Sequence, residues 1–473
     1  MTHHPRLVPL VVAVALFMEN MDSTVIATSL PAIAADLGTN PLALKLAMTS
    51  YLLSLAIFIP ASGWTADRFG TRTVFGAAIA VFIVGSIGCA LSNSLEAFVA
   101  ARIVQGMGGA MMTPVGRLVL VRTIDKKDFV NAMAWVTVPA LIGPVIGPPL
   151  GGFITTYASW HWIFLINVPI GLAGIALVLR YIDPVPSEHV EPFDGIGLLL
   201  AGLGVAGLAF GLSVAGLDLL PWWVVTALIA GGAVFTTAYI LYARRVPAPV
   251  LDFSLFRIPT FHASVVGGFL FRLGIGALPF LLPLMLQTGF GLNPLQSGLV
   301  TFSAAVGALG MKTVAAPLIR KFGFRTILIS NALISSLFLI ACAAFTPSTP
   351  LVVIVAVLLI GGFFRSLQFT ASNTIAYADI DVRRMSRATA MTSVGQQLSL
   401  ATGVAVGAFV VEMTLRSHGG TAITASDFAP AFIVVGAISA LSALIFLRLP
   451  SNAGADLSGR VSAATADSSD QRV

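Results

Sequence analysis

The sequence predicts an all-α membrane protein of fourteen crossing helices, arranged as two six-helix bundles plus two extra central helices, on three observations. Of 473 residues, 57% are hydrophobic and 10% charged, with a mean hydropathy of +0.94, whereas a soluble domain carries roughly 25% charged residues. Apolar runs recur along the chain at the ~20-residue length a helix needs to cross the bilayer core, and the strands of a β-barrel leave no such unbroken runs. The basic residues then alternate in placement. With the amino terminus in the cytoplasm, twenty of the 26 flank spans on the cytoplasmic side (among them Lys126 and Lys127), two (Lys45 and Arg416) lie opposite, and Arg102, Arg272, Lys312 and Arg365 fall inside spans. Shifting one helix would scramble that split, so both termini are expected in the cytoplasm. The net charge of +6 reads as topology and not as a nucleic-acid footprint.

Taken in order, residues 1–7 are a cytoplasmic lead and the first span runs 8–30. Glu19 and Asp22 at its centre, and the lack of a small-residue cleavage site after it, make it a first helix and not a cleaved signal. Five more spans, near 46–65, 74–92, 96–117, 131–155 and 162–180, complete an amino-terminal bundle over 8–180. Two apolar runs, 195–216 and 222–243, form the insertion at 195–243. Spans near 261–288, 296–317, 326–345, 350–376, 388–413 and 429–448 form a second bundle over 261–448, and 451–473, rich in Ser, Ala, Gly and Asp, reads as a disordered cytoplasmic tail. Cys89 and Cys342 each sit inside an apolar run and read as small core residues.

Between the second and third spans stands Gly63-Trp64-Thr65-Ala66-Asp67-Arg68-Phe69-Gly70-Thr71-Arg72. Its glycines permit a tight turn, and Asp67 can cap the next helix or pair with arginine, latching helices together. A shorter copy, Lys321-Phe322-Gly323-Phe324-Arg325-Thr326, follows the tenth span at a displacement of 253 residues. That is eight spans, which places two inserted helices between repeated halves.

Span four opens Ala101-Arg102-Ile103-Val104-Gln105-Gly106. A lone arginine in hydrocarbon costs on the order of 3 kcal/mol or more, so Arg102 needs a partner or a route to the interface. Span five contains Gly143-Pro144-Val145-Ile146-Gly147-Pro148-Pro149-Leu150-Gly151-Gly152, where small residues every four positions let helices approach and prolines bend them. Span one carries Glu19-Asn20-Met21-Asp22-Ser23-Thr24-Val25 and closes on Leu30-Pro31. Glu19 and Asp22 are three apart and share a helix face, and two close carboxylates in low dielectric disfavour double ionisation, which is the chemistry of a proton carrier. A carboxylate simply neutralised by Arg102 or Arg272 is the plainer reading.

In the second half, Arg272 stands 253 residues after Glu19, while Arg365 and Gln368 repeat the spacing of Arg102 and Gln105 at a displacement of 263. Lys312 lies near the inner end of its span and is expected to snorkel. Arg272 and Arg365 are either counter-ions or holders of an anionic substrate. With Asn20, Gln105, Gln287, Gln368, Asn373 and Gln396 they are candidates for a polar, cationic cavity.

The 63–72 run resembles the signature loop of the major facilitator superfamily, with 321–326 its copy lacking the Asp. The stretch from Arg102 resembles the superfamily's helix 4 motif, which implies a part in proton transfer, and 143–152 is similar to the motif of its antiporter branch. Asp22-Ser23-Thr24-Val25 with Leu30-Pro31 resembles the first-helix motif of the fourteen-span drug:proton antiporters, carrying over Asp22 but not Glu19. The resemblance covers residues 5–450, including Trp160-His161-Trp162 through Asn167-Val168-Pro169.

It implies the major facilitator fold and a proton-coupled exporter of drugs or other amphipathic compounds, working as a monomer in the bacterial inner membrane. Its partners would be a small-molecule substrate, protons and the lipid bilayer, with no cofactor and no metal. Asp22 and Arg102 would couple protons, joined by Glu19 on the paired-carboxylate argument alone, with Gly63, Asp67, Arg68, Gly70 and Arg72 as a conformational latch. Gly143, Gly147, Pro148, Gly151 and Gly152 would form the antiporter-motif helix. Alternatives are an exporter of small organic anions or metal chelates, a non-coupled facilitator, and, in a different class, a transport-dead sensor or scaffold. No Gly-rich phosphate loop, nucleophile elbow or His/Cys metal cluster supports an enzyme, and energy would come from an ion gradient.

Overall fold

The structure, a computed structural model, describes residues 7–124, 128–184, 193–217, 219–247, 249–381, 384–420 and 422–458. Lys126 and Lys127, nearly all of the 1–7 lead and the tail beyond 458 lie outside the described residues. Among those described, every regular element is helical. Fourteen long helices dominate: α1 (Val8–Val25), α2 (Lys45–Phe58), α3 (Thr71–Ala90), α4 (Leu95–Thr123), α5 (Phe129–Tyr157), α6 (Asn167–Tyr181), α7 (Gly195–Val214), α8 (Trp222–Ala243), α9 (Gly268–Leu284), α10 (Pro294–Phe322), α11 (Phe324–Ala341), α12 (Leu351–Ile375), α13 (Met385–Ser417) and α14 (Phe428–Phe446).

Counting the short turns that extend them, thirteen segments are long and apolar enough to cross a membrane among the described residues. The fourteenth is α4, whose 29 residues give ample length but include Glu96, Arg102, Arg117 and Arg122. The chain departs from the sequence expectation at two other ends. The first span stops being α-helical at Val25, passing through a 3-10 turn before a short helix, Leu30–Asp36, that Pro31 opens, because proline suits a first helical turn and breaks an interior. The ninth span is not one regular helix: π turns at Ala263–Gly267 and Met285–Gly289 flank α9.

The chain divides into two units. The first comprises Met1–Val250, Pro279–Phe302 and Thr421–Thr424. Here α1 packs on α5, α2 on α4, α3 on α4 and α6, and α7 on α8 and α2. Glycine decides the α1–α5 seam. A Cβ on Gly143 would sit 3.0 Å from the Phe17 carbonyl oxygen, and Cβ atoms on Gly147 and Gly151 would overlap Thr24 and the Val25 carbonyl. Gly152 and Gly298 make the same kind of approach between α5 and the start of α10. The core beneath is built on Leu16, Phe75, Ile79, Phe82, Val119 and Val178.

The second unit comprises Leu251–Leu278, Ser303–Gly420 and Ala425–Val473. Its pairs follow those that α1 to α6 make in the first, with each of those six helices shifted by eight; α7 and α8 have no counterpart. Gly276 and Gly403 bring α9 against α13, and Gly307 and Gly362 bring α10 against α12. The core around Phe324, Leu328, Leu367, Ile375 and Phe446 holds α11, α12 and α14 together. The repeated loops also match: Gly70 and Gly323 both have positive φ, +83° and +77°, a conformation that costs a side-chain-bearing residue and is free to glycine.

Candidate functional site

The polar residues inside the first unit converge on Asp22. Ser94 caps α4 by accepting a hydrogen bond from the Ala97 amide, with Glu96 in the first turn, so α4 begins where its second turn aims Arg102 inward. Gly85 and Gly106 let α3 and α2 close on α4 at this level. The carboxylate of Asp22 and the guanidinium of Arg102 are both fully buried and lie 2.8 Å apart. The second carboxylate oxygen, Oδ1, accepts hydrogen bonds from Gln105 Nε2 and Asn167 Nδ2, each at 2.8 Å. Ser86 Oγ takes further bonds from Gln105 and Asn167. Arg102 also donates to Gln105 Oε1 and, through Nε, to the Ala47 carbonyl, while its Cζ stands 4.2 Å from the centroid of the Tyr51 ring.

Burying two charges is repaid only when geometry is good and the remaining lone pairs are satisfied. Five helices supply that here: α1, α2, α3, α4 and α6. Such an arrangement can do one chemical thing easily. If the carboxylate accepts a proton, the arginine loses its charged partner and the cluster its reason to stay closed.

Glu19 takes a different partner. Thr113 Oγ1 donates to its Oε2 at 2.7 Å. The two carboxylates expected to act as a pair are thus held by separate groups, Asp22 by Arg102 and Glu19 by Thr113. Beside them is an anomaly: the Tyr51 hydroxyl is buried and without a hydrogen-bond partner, a condition that costs about 1–3 kcal/mol. Asn20 turns back on its own helix and donates to the Leu16 carbonyl, and Gln287 donates to the Thr28 carbonyl at 2.9 Å.

The 63–72 run is not the loop expected: Ser62–Phe69 is helical and the chain breaks only at Gly70, and from that helix Asp67 pairs with Arg122 at the end of α4, a partner that the sequence shows only as one of many basic flanks. Arg72 donates to the Leu179 carbonyl near the end of α6, and Arg325 donates to the Leu447 carbonyl after α14. Each repeated arginine thus closes the carboxyl end of the last helix of its half, where cations are favoured. Gly63 faces open space, so no close packing explains it.

In the second unit Arg272 is buried, donates to Asn373 Oδ1 at 2.7 Å and stands over the Phe369 ring. Lys312 is exposed and donates to Thr370. Arg365 is half-buried, and Gln396 likewise. Two residues expected at a cavity surface are elsewhere. Gln105 and Gln368 are both fully buried, because each uses its amide to bridge helices: Gln105 within the Asp22 cluster, Gln368 by donating to the Leu328 carbonyl and accepting from Asn331. Sequence reasoning did not single out Ser86, Tyr51 or Thr113, and quoted Asn167 only within a motif. A polar residue in the middle of an otherwise apolar helix is the signal that could have found them.

The sequence profile of the Major Facilitator Superfamily matches residues 12–265 and 264–466. The "Putative multidrug resistance protein MdtD" of Salmonella heidelberg is 37% identical over 449 residues, covering 93% of this chain and 94% of that protein, and its namesake in Salmonella typhimurium matches equally. Among solved structures, a D-xylose-proton symporter superposes with a TM-score of 0.66 at 16% identity, covering 94% of this chain and 98% of that one. The xylose transporter XylE from E. coli, inward open, gives 0.64 at 15%, covering 96% and 100%. At such identities these two show the fold alone. The chain is a multi-pass membrane transporter for small molecules and not an enzyme, and it belongs to the Major Facilitator Superfamily.

Proposed function

We propose that the protein is a proton-coupled exporter, an antiporter of drugs or other amphipathic compounds, acting by alternating access as a monomer in the bacterial inner membrane with both termini cytoplasmic. The observation that carries this is the buried Asp22–Arg102 pair with its neutral cradle of Gln105, Asn167 and Ser86. A proton on Asp22 leaves Arg102 as an uncompensated buried cation, which favours a rearranged state; deprotonation restores the pair. Each cycle is thereby tied to proton movement. The bundles 8–180 and 261–448 would carry the alternating access, with α7 and α8 as passengers. Asp67 with Arg122 latches one state, and the α1–α5 seam at Gly143, Gly147 and Gly151 lets the proton-carrying helix shift. The name of the MdtD relatives supports drugs as cargo.

One observation favours a second cargo. Arg272, Lys312 and Arg365 make no ion pair with a carboxylate among the described residues, which suits a small organic anion or a metal chelate. The test is purified protein in liposomes containing a pH-sensitive dye, under a proton gradient, with lipophilic cations in one panel and di- and tricarboxylates in another. Substrate-dependent proton movement, lost in Asp22→Asn and Arg102→Ala, is expected, and the responding panel names the cargo. Substrate flux without proton movement would make the protein a facilitator and sink the coupling reading.

A further inference from the structure

We infer that Tyr51 is a proton relay between Glu19 and Asp22, an inference that rests on the proton-coupled reading above. Three observations converge. The Tyr51 hydroxyl is buried without a hydrogen-bond partner, so it contributes nothing to the packing that a phenylalanine ring would not. The face of its ring carries the Arg102 guanidinium, which in turn holds Asp22. Its oxygen and Glu19 Cγ both lie within 4 Å of the place where a Cβ on Gly109 would stand, at 3.1 Å and 3.7 Å. The hydroxyl therefore lies on the side of Glu19, while the face of the same ring lies against the guanidinium that holds Asp22. The charged groups around it are Glu19 and Asp22 from α1 and Arg102 from α4.

The half-buried Glu19 is the more accessible of the two acids, and the fully buried Asp22 is the one whose charge locks the cluster. A proton arriving on Glu19 must cross to Asp22 without water if the cluster stays dry. A phenol does this by exchange. The protonated Glu19 gives its hydrogen to Tyr51 Oη as Tyr51 gives its own to an Asp22 oxygen; one O–H bond forms and one breaks at the phenol, which ends neutral. One proton has moved from Glu19 to Asp22.

Tyr51→Phe in the full-length protein, reconstituted as above, tests this. Substrate-driven proton movement should slow at least about a hundredfold, the lower end of what a lost proton-transfer group costs. Half-saturating substrate concentration and substrate exchange across the membrane without a proton gradient should be unchanged, and the melting temperature in detergent should be equal or higher. Coupled transport at the wild-type rate would overturn the relay. So would a lower melting temperature accompanied by loss of exchange, which would make the hydroxyl structural. If wild-type protein moves substrate and no protons, the coupling reading itself fails, an outcome the wild-type arm reveals before any variant is measured.

Discussion

Helices α4 and α12 carry the same Arg-x-x-Gln and use it oppositely. On α4, Arg102 is buried against a carboxylate and Gln105 serves the same carboxylate. On α12, Arg365 has no carboxylate partner among the described residues, and Gln368 faces Asn331 and a backbone carbonyl. The displacement of 263 explains why: in the 253-residue register of the repeated loop, Gln368 corresponds to Val115, well over two turns past Gln105. The two motifs sit at different heights in their bundles and are alike only in letters. At this motif one half holds a charge that a proton can cancel, the other a cation without such a partner among the described residues.

The largest test of that contrast is Asp22→Ala against Arg365→Ala. Orphaning Arg102 should cost about 3–5 kcal/mol in unfolding experiments in detergent, while Arg365→Ala should change stability by no more than about 1 kcal/mol. Similar losses would mean that both guanidiniums are buried alike. Next come the helix seams, where the halves should agree. Gly147→Leu and Gly403→Leu each force a side chain into a neighbouring backbone and should cost about 1–3 kcal/mol or more; Gly63→Ala, facing open space, should be silent. A smaller difference separates two asparagines. Asn167→Ala removes a bond to a charged oxygen and should cost about 1.5–3 kcal/mol, whereas Asn331→Ala removes bonds to neutral acceptors and should cost about 0.5–1.5 kcal/mol.

The smallest concerns Asp252, in the loop before the ninth span. Its partial burial raises its carboxyl, but hydrogen bonds from Ser254 and Arg384 outweigh that and hold it below the ordinary value of 3.8. A carboxyl lowered in the folded state stabilises at pH above that value, and its contribution disappears as pH falls through the native pKa. Asp252→Asn should therefore cost about 0.2–1 kcal/mol at neutral pH and nothing in strong acid, read by melting curves across pH.

The helices were legible because a bilayer enforces length and apolarity residue by residue, and the loop motif announced the repeat. Even α4, too polar to qualify by composition, showed as a span because its neighbours required it. The site was legible only in part. Asp22 and Arg102 stood out as charges in hydrocarbon, and the sequence left Arg102 and Arg272 as equal suitors for a carboxylate; the chain settles on Arg102 across 80 residues. Asn167, which reaches Asp22 from 145 residues away, had no local pattern to mark it. Gln105 and Gln368 read as cavity linings because an amide can serve solvent or a helix seam, and only packing distinguishes the two uses.

The polarity of α4 also bears on how the chain enters the membrane. A segment with Arg102 inside its span, besides Glu96, Arg117 and Arg122 toward its ends, partitions less readily from the translocon when presented alone, since a charge near a helix centre carries a penalty of about 2.5–3.5 kcal/mol. By the time it emerges, α1 has already been synthesised and offers Asp22 as a counter-charge. In a glycosylation-reporter assay, α4 alone should fail to integrate and should integrate when α1 to α3 precede it, less so with Asp22→Ala. The ion pair that sits at the heart of the finished bundle thus begins as an instruction for the order of its assembly.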